Sequence, residues 1–106
     1  MGGRHPLECT SMVEVREEID RIDAALVDLI AERFGFVDRA WQLKSNPQEA
    51  YVPWRIQQVI DKVRAHAREK GLPPELTEAL WRQMIGWFVQ YEEEKLRRQI
   101  EGNGGQ

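Results

Sequence analysis

The chain has a single cysteine, Cys9, which excludes an internal disulfide and a cysteine-built zinc cluster. It has two histidines, His5 and His66, and neither stands at metal-ligand spacing from another good ligand. No metal is therefore expected, and His66 reads as a solvated or packing residue. Basic excess is also missing: 15 lysines and arginines face 18 aspartates and glutamates, a net charge of −3 that weighs against nucleic acid as a partner. No run approaches the roughly 20 apolar residues of a membrane span. The opening Met1 to Pro6 has neither the apolar core of a secretory signal nor the hydroxyl residue of a myristoylation signal. The expected location is cytoplasmic, and a membrane is not an expected partner. G-x-S-x-G, P-loop and G-x-G-x-x-G patterns are absent, which removes the common signatures of nucleophilic, phosphate and dinucleotide sites.

What is present describes an ordinary folded protein: 106 residues, 42% hydrophobic and 31% charged, enough for one domain with a modest core. Ser11 and Glu14 fit an S-x-x-E capping box at a helix start. From Val15 onward apolar residues recur in steps of four and three: Val15, Ile19, Ile22, Leu26, Leu29, Phe36, Ala40 and Leu43. No proline interrupts the stretch to Lys44, so one helix of about 33 residues and roughly 50 Å is expected. A compact monomer of this size has a radius of gyration near 13 Å, so a partner chain along the overhanging seam is the natural remedy. An all-α homodimer follows. A second helix is expected over Trp54 to Lys70, burying Ile56, Val59, Ile60, Val63 and Ala67, with Gly71 as its left-handed cap. A third helix starts near Pro74 and turns Leu76, Leu80, Met84, Trp87, Phe88 and Tyr91 inward. The expected organisation is an extension over 1–10, a helical domain over 11–98 and a flexible tail over 99–106.

Arg33 occupies the one seam position where the pattern asks for a hydrophobic residue. Burying a guanidinium there costs several kcal/mol or more unless it is compensated. Either the helix opens onto water at that point or Arg33 faces a cavity built for an anion. On a continuous helix Lys44, eleven residues later, falls about 20° past three full turns and some 16 Å along the axis, so the two cations share a face. Arg16 lies seventeen residues before Arg33, roughly 100° around and 25 Å away, where it can serve a partner chain's site more easily than its own. Arg55 opens the second helix, where its charge opposes the helix dipole, a misplacement that hints at a bound anion. Solvated surface cations remain the ordinary alternative for Arg16, Lys44 and Arg55. The four tryptophans, Trp41, Trp54, Trp81 and Trp87, read as core and interface mass rather than a binding box.

At these residues the chain resembles the all-α chorismate mutases and the related isochorismate-pyruvate lyase. The likeness is carried by Val15 to Asp23, by Ala31-Glu32-Arg33, by Lys44, by Arg55 after the loop, and by Lys70-Gly71-Leu72. The resemblance implies an intertwined helical homodimer that carries out a pericyclic reaction of a dicarboxylate, chorismate or isochorismate, with no cofactor. It implies that Arg33 and Arg55 clamp substrate carboxylates, that Lys44 bridges a carboxylate and the ether oxygen, and that Arg16 reaches in from the other subunit. Glu92 stands where a glutamine commonly donates to that oxygen, which makes it a catalytic candidate beside Lys44 and Arg33.

Two further departures concern specificity. Ile56 stands where typical mutases carry a glutamate, and Phe88 where many have a small polar residue. Glu8-Cys9-Thr10 and Ile56 resemble the lyase branch, whereas Glu92 does not. Chorismate mutase is the expected activity, with the lyase as its alternative. A helical dimer acting only as an interaction module is the reading from another class.

Overall fold

The computed structural model describes residues 3–104 of the chain. It contains three α-helices, α1 over Met12–Gln42, α2 over Pro53–Glu69 and α3 over Pro74–Gly104, with short 3₁₀ turns at Pro6–Glu8 and Pro47–Ala50. Among the described residues there is no strand, and no helix is long and apolar enough to cross a membrane. The chain divides into two compact units, Met1–Phe36 and Val37–Gln106.

In the first unit, Ser11 caps α1 by accepting from the Glu14 N–H at 3.2 Å. The reciprocal half of the expected box is displaced by one residue. The Glu14 carboxylate takes the Thr10 N–H and hydroxyl, at 2.7 and 2.8 Å. These two Thr10 bonds, the backbone one first, hold the Glu14 carboxyl below its ordinary value. The leader is ordered by a second device. Arg4 spans Glu14, Glu17 and Glu18, its shortest ion pair reaching Glu18 at 3.1 Å. Gly3 lies so close to Glu18 and Arg21 that a side chain there would overlap them. His5 accepts from the Leu7 N–H at 3.2 Å and so caps the first 3₁₀ turn. The seam of α1 is open in the single chain: Ile19, Ile22, Leu26, Leu29 and Phe36 are all exposed.

The second unit has the hydrophobic core. Ala50, Ile60, Ala67, Ile85, Phe88 and Leu96 are buried, and α3 packs against α2 and against the Pro47–Ala50 turn. Of the inward stripe expected on α3, Phe88 is buried and Met84 and Tyr91 are half-buried. Thr77, Ile85, Phe88, Glu92 and Leu96 are buried, while Leu76, Leu80 and Trp87 are exposed. Glu78 fastens the two helices with one oxygen on each partner, accepting from Arg64 of α2 at 2.8 Å and from Arg82 at 2.6 Å. Gly71 ends α2 as expected. Its φ of 75° is the left-handed region, and the Leu72 N–H reaches back to the Ala67 carbonyl at 2.8 Å while Gly71 N–H bonds Arg68. The helix of α3 runs through Gly104 and so covers most of the stretch read as a tail; residues 105 and 106 lie outside the described residues.

Candidate functional site

The end of α1 carries the first site residue. The helix stops at Gln42, two residues short of the expected Lys44, and closes with tighter bonds from Leu43 N–H to Ala40 and from Lys44 N–H to Trp41, both 3.1 Å. Lys44 thus stands in the turn beyond the helix, and the rotation computed for a continuous helix does not apply to it. Its ammonium donates to Glu92 Oε2 at 2.6 Å, across forty-eight residues of sequence. Glu92 is buried on α3, with its side chain 9% exposed against 24% for Lys44. An ammonium has three N–H donors, so this contact leaves two for another acceptor.

Glu92 shares a face of α3 with Ile85, seven residues before it. Ile85 and Val89 line a groove of about 310 Å³ between α2 and α3, together with Ile56, Tyr51 and Gly86. The groove is largely apolar, and Ile56 forms part of its wall. Arg82 also borders it, a cation the sequence pattern did not single out because nothing in helical spacing separates it from any solvated arginine. Phe88 is buried and meets the Trp87 ring edge-on at 5.5 Å. Asn46, two residues beyond Lys44, has a buried Oδ1 with no donor among the described residues, and no sequence signal marked it.

Of the predicted residues, Lys44 and Glu92 are brought together. Arg55 is exposed in the first turn of α2, where its guanidinium donates to Gln58 of the same helix at 2.7 Å. Arg16 and Arg33 belong to the unit Met1–Phe36; Arg16 is exposed and Arg33 half-buried. Arg33 is thus more covered than its seam neighbours Leu29 and Phe36. Among the described residues no group of three or more potential ligands could hold a metal ion.

Residues 15–93 match the chorismate mutase type II family. This chain belongs to that family. It is 32% identical over 97 residues to an isochorismate pyruvate lyase of Pseudomonas aeruginosa, a likeness that covers 92% of this chain and 95% of the relative. It is 33% identical over 75 residues to the T-protein of Enterobacter agglomerans, covering 70% of this chain but only 20% of that longer protein. Within a chorismate mutase type II chain, the Lys44–Glu92 contact falls inside the matched region at both ends.

Proposed function

We propose that the protein is a chorismate mutase, converting chorismate to prephenate without a cofactor. The observation that carries this reading is the short contact of Lys44 with the buried Glu92 in a chain of this family. The reaction breaks an ether carbon–oxygen bond as a carbon–carbon bond forms, and negative charge grows on the departing oxygen. A cation held in place by a buried carboxylate, with N–H donors to spare, stabilises that charge without reorganising during the reaction. Fixing both carboxylates of a flexible dianion favours the compact conformer from which reaction proceeds. Arg33 and Arg55 are the proposed clamps. Glu92 serves by accepting from the Lys44 ammonium and so aiming it at the ether oxygen.

The functional unit in this proposal is a homodimer. The exposed seam of α1, with Leu29 at 61% and Phe36 at 73%, supports a second chain along it. Arg16 is then donated to the partner's site. A second reading, isochorismate pyruvate lyase, is favoured by the likeness to that enzyme over nearly the full length of both proteins and by the apolar Ile56 in the groove wall.

Mixing an Arg16→Ala chain with an Arg33→Ala chain tests the shared site, because one site of the heterodimer would regain both arginines. Partial recovery of activity is expected; mixtures that form heterodimers and stay inactive would refute it. A bicyclic dicarboxylate mimic of the transition state, at 100 times its dissociation constant, should add about 2.7 kcal/mol of stability. An unshifted melt at millimolar mimic would favour the non-catalytic interaction module instead.

A further inference from the structure

Two consecutive residues of α3, Tyr91 and Glu92, are both tied to the segment that carries α1 into its following turn. The Tyr91 hydroxyl donates to Asp38 Oδ1 at 2.6 Å, and the Lys44 ammonium donates to Glu92 at 2.6 Å. The two bonds run in opposite senses, so α3 supplies the donor in one and the acceptor in the other. Asp38 is also held from its own helix, where the Trp41 indole N–H donates to the same oxygen at 2.7 Å. Lys44 follows one turn later, its own N–H on the Trp41 carbonyl at 3.1 Å.

These contacts close a ring. It passes from Tyr91 to Asp38, to Trp41, to Lys44, to Glu92, and back to Tyr91 through a single peptide bond. The Tyr91 end is itself restrained, stacked on Trp87 at 5.7 Å with the Lys95 ammonium 5.5 Å from its ring centre. The two hydrogen bonds, the one from Tyr91 first, hold the Asp38 carboxyl below its ordinary value and so keep it an acceptor for both donors. The close packing of α3 is with α2 and the Pro47–Ala50 turn, while these bonds join the end of α1 to α3 through long side chains. Such a join is only as precise as its hydrogen bonds.

We propose that Asp38 and Tyr91 are positioning residues that fix the Lys44 ammonium against Glu92, and with it the direction of the donors left for the reacting oxygen. This rests on the functional reading above, in which Lys44 serves that oxygen. Neither residue touches substrate in this role. They act through Lys44 and Glu92, and a displacement of about 1 Å at such a group costs on the order of 10²-fold in rate.

The test compares wild type with Tyr91→Phe, Asp38→Ala and Asp38→Asn. Tyr91→Phe deletes one oxygen and keeps the stacked ring. Asp38→Ala removes the shared acceptor, and Asp38→Asn keeps a carbonyl oxygen able to accept both bonds. For Tyr91→Phe and Asp38→Ala, kcat should fall roughly 10- to 100-fold with KM within about threefold, the pattern of an interaction made in the transition state. Asp38→Asn should remain within about threefold of wild type in both. The ¹³C resonance of the Glu92 side-chain carboxyl reads the Lys44 contact independently of turnover, and it should move in the first two variants and hardly in the third. A Glu92 resonance unchanged in Tyr91→Phe overturns the proposal whatever the rates, as does a folded Tyr91→Phe with wild-type kcat. Asp38→Asn as damaging as Asp38→Ala overturns it too. Should wild type turn over neither chorismate nor isochorismate, the functional reading fails, and the resonance still decides whether Asp38 and Tyr91 set the Lys44–Glu92 contact.

Discussion

Replacing Lys44 with methionine keeps the length of the side chain and removes its charge and its donors. Glu92 is then left with its carboxylate in a position only 7% exposed. Removing one partner of a buried ion pair typically costs 3–5 kcal/mol, because the other charge stays behind uncompensated. The Lys44 side chain is 24% exposed, so water screens the pair in part. That places the expected loss at the lower end, about 3 kcal/mol. At about 4–8 °C per kcal/mol for a domain near this size, the melting temperature should drop by more than 10 °C. Adding Glu92→Gln removes the orphaned charge, and the double variant should return to within about 1 kcal/mol of wild type. Activity should not return with it, since loss of a donor to the developing oxyanion costs on the order of 10²- to 10³-fold. Thermal unfolding followed by circular dichroism, alongside turnover of the same preparations, reads both quantities. A Lys44→Met protein that melts with wild type, or a double variant that regains activity, would refute the reasoning.

Acid should expose the carboxylate ties. Hydrogen bonds from Tyr91 and then Trp41 depress the Asp38 carboxyl, and the Arg82 hydrogen bond, ahead of Arg64, depresses that of Glu78. A depressed carboxyl contributes stability above its unfolded value, and that contribution is lost as pH falls through the lower folded value. Urea midpoints should therefore decline below about pH 4, and Asp38→Asn should flatten part of that decline; an unaltered slope would remove Asp38 from the effect. Leu26→Asp with Leu29→Asp places charge on two seam positions that are 49% and 61% exposed in the single chain. Sedimentation velocity should shift from dimer to monomer, and a dimer that persists would place the interface elsewhere. Gly71→Ala puts a side chain at φ 75°. It should cost about 1–2 kcal/mol, and a melt equal to wild type would contradict a left-handed cap there.

The three helices were legible because the apolar residues keep helical spacing and because Gly71 and the prolines mark the breaks. Periodicity reports faces, however, and not which faces meet. On α3 it favoured Leu76, Leu80, Met84, Trp87, Phe88 and Tyr91, of which Phe88 is buried and Leu76, Leu80 and Trp87 are exposed, whereas Thr77, Ile85 and Glu92 are buried without having been marked as core. The same limit governed the site. Lys44 and Glu92 were both marked by family resemblance, yet their contact depends on α1 ending at Gln42 and on the turn that follows. Asp38 and Tyr91 carry no local signal, because a carboxylate and a phenol fifty-three residues apart become partners only through the fold. Arg33 is marked in the sequence as a cation in an apolar seam, and it is half-buried in the single chain.

Product identification bears most directly on the central claim. Purified protein is given chorismate and isochorismate in separate reactions, without added metal or cofactor, and the products are read by chromatography and proton NMR. Prephenate should form from chorismate, and Lys44→Met should slow its formation on the order of 10²- to 10³-fold, as for a lost oxyanion donor. Chorismate recovered intact, with salicylate and pyruvate formed from isochorismate alone, would assign the site to the lyase reaction. Both substrates recovered intact from folded protein would contradict the account.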